Sequence, residues 1–214
     1  MKKCKKIQKI DKNIFSLLYL DCNYKNILNM GRQTVNNFKG NTAGGGSGTN
    51  KTGLTFEKFI DHVFSNQINE SDNVSLDGSN IIKDGNVYAT RYPKHDLYNR
   101  LCKGFGIRWQ DRLSKKLLPD DAIFVHETNT LYIVEKKYQK RSGSNDEKLQ
   151  TPPYKIRQYK KLLDGTDVTV KFCYVLSDWF RVENNKEYRD VLEYLEEIGV
   201  PYFYNELPLY HIGL

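Results

Sequence analysis

Two apolar segments separated by a short polar turn constrain the fold of this chain more than any other feature. Residues 118–125 (LPDDAIFV) and 131–137 (LYIVEKK) flank the turn at 126–130 (HETNT). This spacing predicts an antiparallel hairpin, with acids at the start of its first strand and Glu-x-Lys at the end of its second. Both faces of the second segment are largely apolar, which predicts a central strand that is covered on both sides.

The charged residues of this hairpin are expected to meet at one end. Because side chains alternate along a strand, Glu135 and Lys137 project together, whereas Lys136 points away. Strand pairing brings Asp120 or Asp121 beside Glu135, and alternation allows only one of the two to face it. Two carboxylates and an amine are typical of a phosphodiesterase centre, because Mg²⁺ prefers oxygen ligands and a lysine can orient the attacking water. The alternative is that these charges only protect an edge strand against aggregation.

Charge and cysteine content narrow the class of protein. The 214-residue chain suits one domain, with room for a small subdomain. Its formal charge of +7 and its pI near 9.0 favour an anionic partner, first of all nucleic acid. No apolar run reaches the length of a membrane span, and the basic start lacks the uninterrupted apolar stretch of a signal peptide. The four cysteines are scattered and form no Cys-x-x-Cys pair, and no His lies at the spacing of a zinc ligand; they are Cys4, Cys22, Cys102 and Cys173. We therefore expect no structural zinc, and reduced thiols in a cytoplasmic protein.

The first quarter of the chain differs from the rest. Apolar residues at three- and four-residue steps predict a basic amphipathic helix over 2–35, and a Gly-rich loop follows at 36–53. The Gly triplet at 44–46 lacks the Gly-Lys-Ser/Thr of a phosphate-binding loop, so a nucleotide site is not expected there. Residues 1–53 therefore form a predicted N-terminal segment, and 54–214 form the predicted main domain.

Helices and strands are interspersed in the main domain. Polar residues at 68–86 predict a loop. We expect helices at 54–67, 96–102, 152–163 and 187–199, and strands at 87–92, 106–113, 118–125, 131–137, 168–176 and 201–204. This order predicts a mixed α/β fold layered around one sheet.

The hairpin and several other segments resemble the PD-(D/E)xK nuclease superfamily, and within it the type II restriction endonucleases. The resemblance is carried by Pro119-Asp120, Glu135-x-Lys137, NKTGLTFE at 50–57, GSNDEKLQT at 143–151 and YFYNELPL at 202–209. It implies an αβββαβ core, a mixed central sheet flanked by helices, over about residues 50–214. It also implies Mg²⁺-dependent cleavage of double-stranded DNA that leaves 5′-phosphates, usually by a homodimer. Such an enzyme is expected in the prokaryotic cytoplasm, with a cognate DNA methyltransferase as its functional partner.

Carried over by position, the resemblance assigns catalytic roles to individual residues. Asp120, which follows the proline and is therefore favoured over Asp121, is the motif acid. Glu135 is the second acid and Lys137 is the lysine. The resemblance implies that Asp120 and Glu135 hold Mg²⁺, and that Glu57 is an additional acid that binds the metal directly or through water.

DNA contacts are expected among the charged residues around the motif, since phosphate binding needs clustered positive charge. For each of them the alternative interpretation is a charged surface residue that contacts only solvent. The candidates are Arg108, Arg112, Lys136, Lys140, Lys148 and Lys155. Gln139 either supports the site and its DNA or is a polar residue at the end of a strand.

The resulting prediction is a site-specific restriction endonuclease. The alternatives are a repair, junction-resolving or homing nuclease on the same core and, from another class, a DNA-binding module without catalysis.

Overall fold

The computed structural model describes residues 47–140 and 145–214. Backbone contacts divide the chain into two units, residues 1–51 and 52–214. The predicted helix over 2–35 and the first part of the predicted Gly-rich loop lie outside the described residues.

A mixed sheet forms the centre of the described part of the chain. Its seven described strands, which lie side by side in chain order, are β1 (Val74–Asp77), β2 (Asn80–Lys83), β3 (Asn86–Arg91), β4 (Asp121–Val125), β5 (Thr130–Lys137), β6 (Thr169–Leu176) and β7 (Tyr202–Tyr204). Neighbouring strands are antiparallel from β1 to β5, and parallel from β5 to β7. The described α-helices are α1 (Ser47–Asn69), α2 (Asn145–Lys148), α3 (Pro152–Leu162) and α4 (Arg189–Glu197). Parallel pairing of β5 with β6 needs a crossover connection, which contains α3.

Strands β4 and β5 form the predicted hairpin. Every residue of β4 is buried, and so is every residue of β5 except Lys137, which confirms a central strand covered on both sides. Asn129 adopts a left-handed backbone conformation in the turn, which asparagine tolerates better than most residues. The register pairs Asp121 with Val134 and Ala122 with Ile133.

The two faces of the sheet are covered by different helices. The main core contains Ala122, Phe124, Leu131 and Ile133 from one face of the hairpin, together with buried residues of α3 and α4. Helix α1 covers the other face with the predicted apolar stripe, buried at Phe56, Phe59, Ile60, Val63 and Phe64. Among the described residues, no helix is long and apolar enough to cross a membrane.

Three expectations about secondary structure were wrong. Residues 68–86, predicted as a loop, contain β1 and β2. The side chains of these strands are mostly half-exposed or exposed, so the segment can carry polar residues and lacks the apolar pattern of a buried strand. Residues 106–113, predicted as a strand, contain only a 3₁₀ turn, because the alternation of Ile107 and Trp109 with polar residues has no pairing partner in the sheet. Helix α1 begins at Ser47, within the predicted loop, rather than at Leu54.

The described chain is therefore a mixed α/β protein with a mostly antiparallel sheet flanked by helices. The order α1, β3, β4, β5, α3, β6 occurs within it and is compatible with the expected αβββαβ core.

Candidate active site at the end of the central hairpin

Three predicted site residues meet where β4 begins and β5 ends. Lys137 Nζ donates a hydrogen bond to Glu135 Oε2 at 2.7 Å and lies 3.5 Å from Asp120 Oδ2. Asp120 Oδ2 also accepts a hydrogen bond from the backbone N–H of Lys136 at 2.7 Å. The backbone of β5 thus holds the acid that precedes β4, and both carboxylates contact one ammonium group.

The strand register decides which of the two adjacent acids lies beside Glu135. Asp121 is the first residue of β4 and pairs with Val134, so it shares the face of Lys136 rather than that of Glu135. Its carboxylate is buried and accepts hydrogen bonds from Arg91 Nε at 2.8 Å and from the guanidinium Nη2. Asp120 is therefore the acid that lies beside Glu135, whereas Asp121, the other candidate, lies on the opposite face and is paired with Arg91.

Helix α3 adds a second lysine to the cluster. Pro152 and Pro153 occupy the first helical positions, where a missing N–H costs nothing. Lys155 and Tyr159 follow one turn apart, so they share a helix face, and Tyr159 is buried against the sheet. Lys155 Nζ consequently reaches Glu135 Oε2 at 2.9 Å. Two ammonium groups, from different elements, converge on one carboxylate oxygen.

Burial and neighbouring charges perturb the pKa values of this cluster. Burial raises the pKa of Asp120, and the negative charge of Glu135 adds to this, against the attraction of Lys137. Burial also acts to raise the pKa of Glu135, but Lys137 and Lys155 outweigh it and hold that pKa below its usual value. For Lys137, burial acts to lower the pKa, and the charges of Glu135 and Asp120 outweigh it and raise the pKa. Glu135 and Lys137 are therefore both held in their ionised forms.

The oxygen atoms around Lys137 Nζ are of the type that hard cations bind. Besides the two carboxylates, the backbone carbonyl oxygen of Lys136 lies 3.3 Å from this nitrogen. Within the described residues, no three His, Cys, Asp or Glu side chains are grouped so that they can hold a metal together. The acidic oxygens available to a cation at this position belong to Asp120 and Glu135. That set suits Mg²⁺, which usually takes one or two carboxylates and completes its shell with water and substrate phosphate.

Glu57 lies near the cluster but is not part of it. Its carboxylate accepts a hydrogen bond from Lys94 Nζ at 2.8 Å, and its side chain is 22% exposed. The backbone N–H of Lys94 donates in turn to the carbonyl oxygen of Pro119 at 3.0 Å, which ties this pair to the motif loop. The charge of Glu57 contributes to the raised pKa of Asp120. In this arrangement Glu57 acts on Asp120 through space rather than as a neighbouring ligand.

A second charged cluster lies on the opposite face of the hairpin. Asp61, one turn after Glu57 on α1, accepts hydrogen bonds from Arg91 Nη2 at 2.6 Å and from Lys136 Nζ at 2.8 Å. Arg91 also binds Asp121. Sequence reasoning missed the contribution of Asp61. The four-residue spacing from Glu57 was the available signal, since it places both acids on one side of the helix.

Three of the residues expected to contact DNA are engaged with other parts of the protein. The side chain of Lys136 is 4% exposed and is paired with Asp61, because it points to the face that α1 covers. Arg112 donates to the carbonyl oxygens of Leu162 and Asp164 and so fastens its loop to the end of α3. Gln139 is buried and donates to the hydroxyl oxygen of Tyr188 at 3.1 Å, which agrees with a polar residue at a strand end.

The other expected DNA contacts are accessible. Arg108, Lys140 and Lys148 are exposed, and the ammonium of Lys140 lies over the ring of Tyr138. Lys155 is partly exposed and is engaged with Glu135.

Comparisons with known proteins leave the function to be argued from this geometry. No protein-family model matches the chain, and no curated protein matches its sequence. Among solved structures, the chain is similar to MunI restriction endonuclease in complex with cognate DNA. The TM-score is 0.36 and the sequence identity 14%, over 56% of this chain and 74% of that chain. A similarity of this degree is too low to carry an argument.

Proposed function

We propose that this chain is a Mg²⁺-dependent endonuclease that hydrolyses phosphodiester bonds in double-stranded DNA, in the manner of a type II restriction enzyme. The observation that carries the proposal is the position of Asp120 and Glu135. Both carboxylates lie within 3.5 Å of Lys137 Nζ, at the end of a buried central hairpin.

The burial of these groups favours a functional role. The side chain of Glu135 is 7% exposed, and buried charges are retained where they are paired or bind a metal. Asp120, Lys137 and Lys155 are each partly exposed, between 13% and 21%. The cluster is therefore open to solvent on one side, where a substrate can approach. Perturbed pKa values in such a position are typical of functional sites.

Each residue of the cluster has a role in this proposal. Asp120 and Glu135 hold the metal, which when bound acts as a Lewis acid on the phosphodiester and lowers the pKa of a water molecule. Lys137 orients the attacking water and stabilises the negative charge that develops on the phosphoryl oxygens. Attack at phosphorus breaks the bond to the 3′-oxygen, so the products carry a 5′-phosphate and a 3′-hydroxyl.

The wider features of a restriction enzyme belong to the same proposal. The net charge of +7 and the exposed Arg108, Lys140 and Lys148 supply contacts for the DNA backbone. One active site cuts one strand at a time, so cleavage of a symmetric duplex site calls for a homodimer. A cognate DNA methyltransferase would protect the host DNA in the prokaryotic cytoplasm.

The ion pairs themselves favour a second candidate, a DNA-binding module without catalysis. Lys137 and Lys155 together balance the charges of Asp120 and Glu135, so the cluster can be explained as a purely structural set of salt bridges. Under this alternative, replacing Glu135 would change the stability of the protein but no chemical step.

Products formed on several DNAs distinguish these candidates. The full-length protein is incubated with unmethylated plasmid and phage DNA, with Mg²⁺ or with EDTA, and the products are separated on a gel. Discrete fragments that require Mg²⁺ are the expected result, and sequencing of their ends gives the site and the end chemistry. Mg²⁺-dependent nicking, or a preference for branched DNA, would instead indicate a repair or junction-resolving nuclease. Intact DNA with a retained mobility shift would indicate the binding module.

A further inference from the structure

The two lysines that bind Glu135 differ in how firmly they are held. Lys137 Nζ contacts Glu135, Asp120 and the carbonyl oxygen of Lys136, and its side chain is 13% exposed. Lys155 Nζ forms an ion pair with Glu135 alone among the described residues, and its side chain is 21% exposed. Tyr154, the neighbour of Lys155, is 56% exposed, so solvent reaches the helix beside this lysine. Lys155 is therefore the lysine that can more easily leave its ion pair with Glu135.

A divalent cation at Glu135 makes such a departure favourable. The carboxylate oxygen Oε2 is already contacted by two ammonium groups, at 2.7 and 2.9 Å. A third positive group beside them adds repulsion, which is strong between charges a few ångströms apart in a partly buried site. Lysine carries its charge on a flexible four-carbon stem, so Lys155 can relieve this repulsion by changing rotamer without any movement of the helix.

We propose that Lys155 is an exchangeable counter-ion, which pairs with Glu135 until a divalent metal binds there and then transfers to a phosphate of the bound DNA. The inference rests on the proposed function. The charges of the cluster support it, because two carboxylates and two ammonium groups balance one another. A bound divalent cation leaves a positive excess, and a DNA phosphate beside the released Lys155 neutralises part of it.

The exchange predicts effects of opposite sign when Lys155 loses its charge. Without DNA, Glu135 would have one competitor fewer, so the metal would bind more tightly. With DNA, one phosphate contact would be missing, so the duplex would bind more weakly. A lysine that only stabilised the fold would weaken both kinds of binding or neither.

The test compares Lys155→Met with Lys155→Arg, and uses Lys160→Met as the matched control on an exposed position of the same helix. Calorimetric titration with Mn²⁺, without DNA, should give a roughly three- to tenfold tighter dissociation constant for Lys155→Met. In Ca²⁺, duplex DNA should bind this variant more weakly, and the slope of log affinity against log salt should decrease by about one. Lys155→Arg should keep the wild-type slope, and Lys160→Met should keep the wild-type metal affinity.

The results distinguish failure of the proposed exchange from failure of the proposed function. Unchanged or weaker Mn²⁺ binding by Lys155→Met, or an unchanged salt slope, would overturn the exchange even if the wild-type protein cleaves DNA. Wild-type protein that neither binds Mn²⁺ nor cleaves DNA would overturn the proposed function and the exchange with it. Circular dichroism of the variants establishes that they are folded before either measurement is interpreted.

Discussion

The ammonium group of Lys136 is buried behind the hairpin, so it depends on the carboxylate of Asp61. The side chain of Lys136 is 4% exposed, and its nitrogen lies 2.8 Å from Asp61 Oδ1. Asp61 is 44% exposed and binds Arg91 as well. Loss of the acid leaves a buried charge without this partner, whereas loss of the amine leaves an acid that still contacts Arg91 and water. The two substitutions should therefore differ in their effect on stability.

We expect Asp61→Asn to destabilise the protein more than Lys136→Met. Removing one partner of a buried ion pair costs about 3–5 kcal/mol, and the partial exposure of Asp61 reduces this to roughly 2–3 kcal/mol. Lys136→Met exchanges a buried ammonium for an apolar side chain of similar size, so a cost of about 1 kcal/mol or less is expected. The double variant should cost less than the two single changes added, because no isolated ammonium remains in it.

Urea unfolding measures these free energies. Circular dichroism and the fluorescence of Trp109 and Trp179 should report coincident transitions, which is the condition for a two-state analysis. Lys160→Met, on an exposed helix position, is the control and should change the free energy of unfolding by about 0.5 kcal/mol or less. A Lys136→Met variant as unstable as Asp61→Asn, or costs that add in the double variant, would refute this reasoning.

Two further predictions concern acids of the hairpin and of α1. Burial acts to raise the pKa of Asp61, but the positive charges of Lys136 and Arg91 outweigh burial and lower that pKa. Ionised Asp61 therefore stabilises the fold fully above its unfolded pKa of about 3.9. This stabilisation is lost as the pH falls through the lower folded pKa. Urea midpoints measured from pH 6 downwards should therefore fall less steeply for Asp61→Asn than for wild type, and parallel curves would contradict the assignment. Asp120→Asn should abolish cleavage with little loss of stability, whereas Asp121→Asn should destabilise the fold by about 3 kcal/mol, because it replaces the buried acid of an ion pair and leaves Arg91, whose side chain is 18% exposed, with a weaker partner. Cleavage by Asp120→Asn at the wild-type rate would show that this acid is not catalytic.

The sequence predicted the central hairpin well because its signal is local. Alternation along residues 131–137 places Glu135 and Lys137 on one face, and the structure has them there, 2.7 Å apart at their charged atoms. The choice between Asp120 and Asp121 depended on the register of pairing, which alternation alone leaves open. Only the pairing of Asp121 with Val134 assigns the two acids to opposite faces.

Contacts between distant elements were beyond the reach of the sequence. Lys155 and Asp61 lie on helices, and helical spacing does not tell which strand residue a helix face meets. Lys136 is expected to contact DNA because it belongs to the positive charges clustered around the motif, whereas its place on a covered strand buries it. The strands β1 and β2 were not predicted, because their side chains are mostly half-exposed and their sequence therefore lacks the apolar pattern of a central strand.

Cleavage of supercoiled plasmid by wild type and by Glu135→Gln shows whether Glu135 takes part in Mg²⁺-dependent hydrolysis of DNA. The two side chains are nearly the same size, and the substitution removes the negative charge that would hold the metal and that also pairs with Lys137 and Lys155. We expect discrete Mg²⁺-dependent fragments from wild type and a rate lower by at least about a hundredfold in the folded variant, which is the scale of losing one key electrostatic group. Equal cleavage by both proteins, or intact plasmid with wild type under every metal condition, would contradict this expectation.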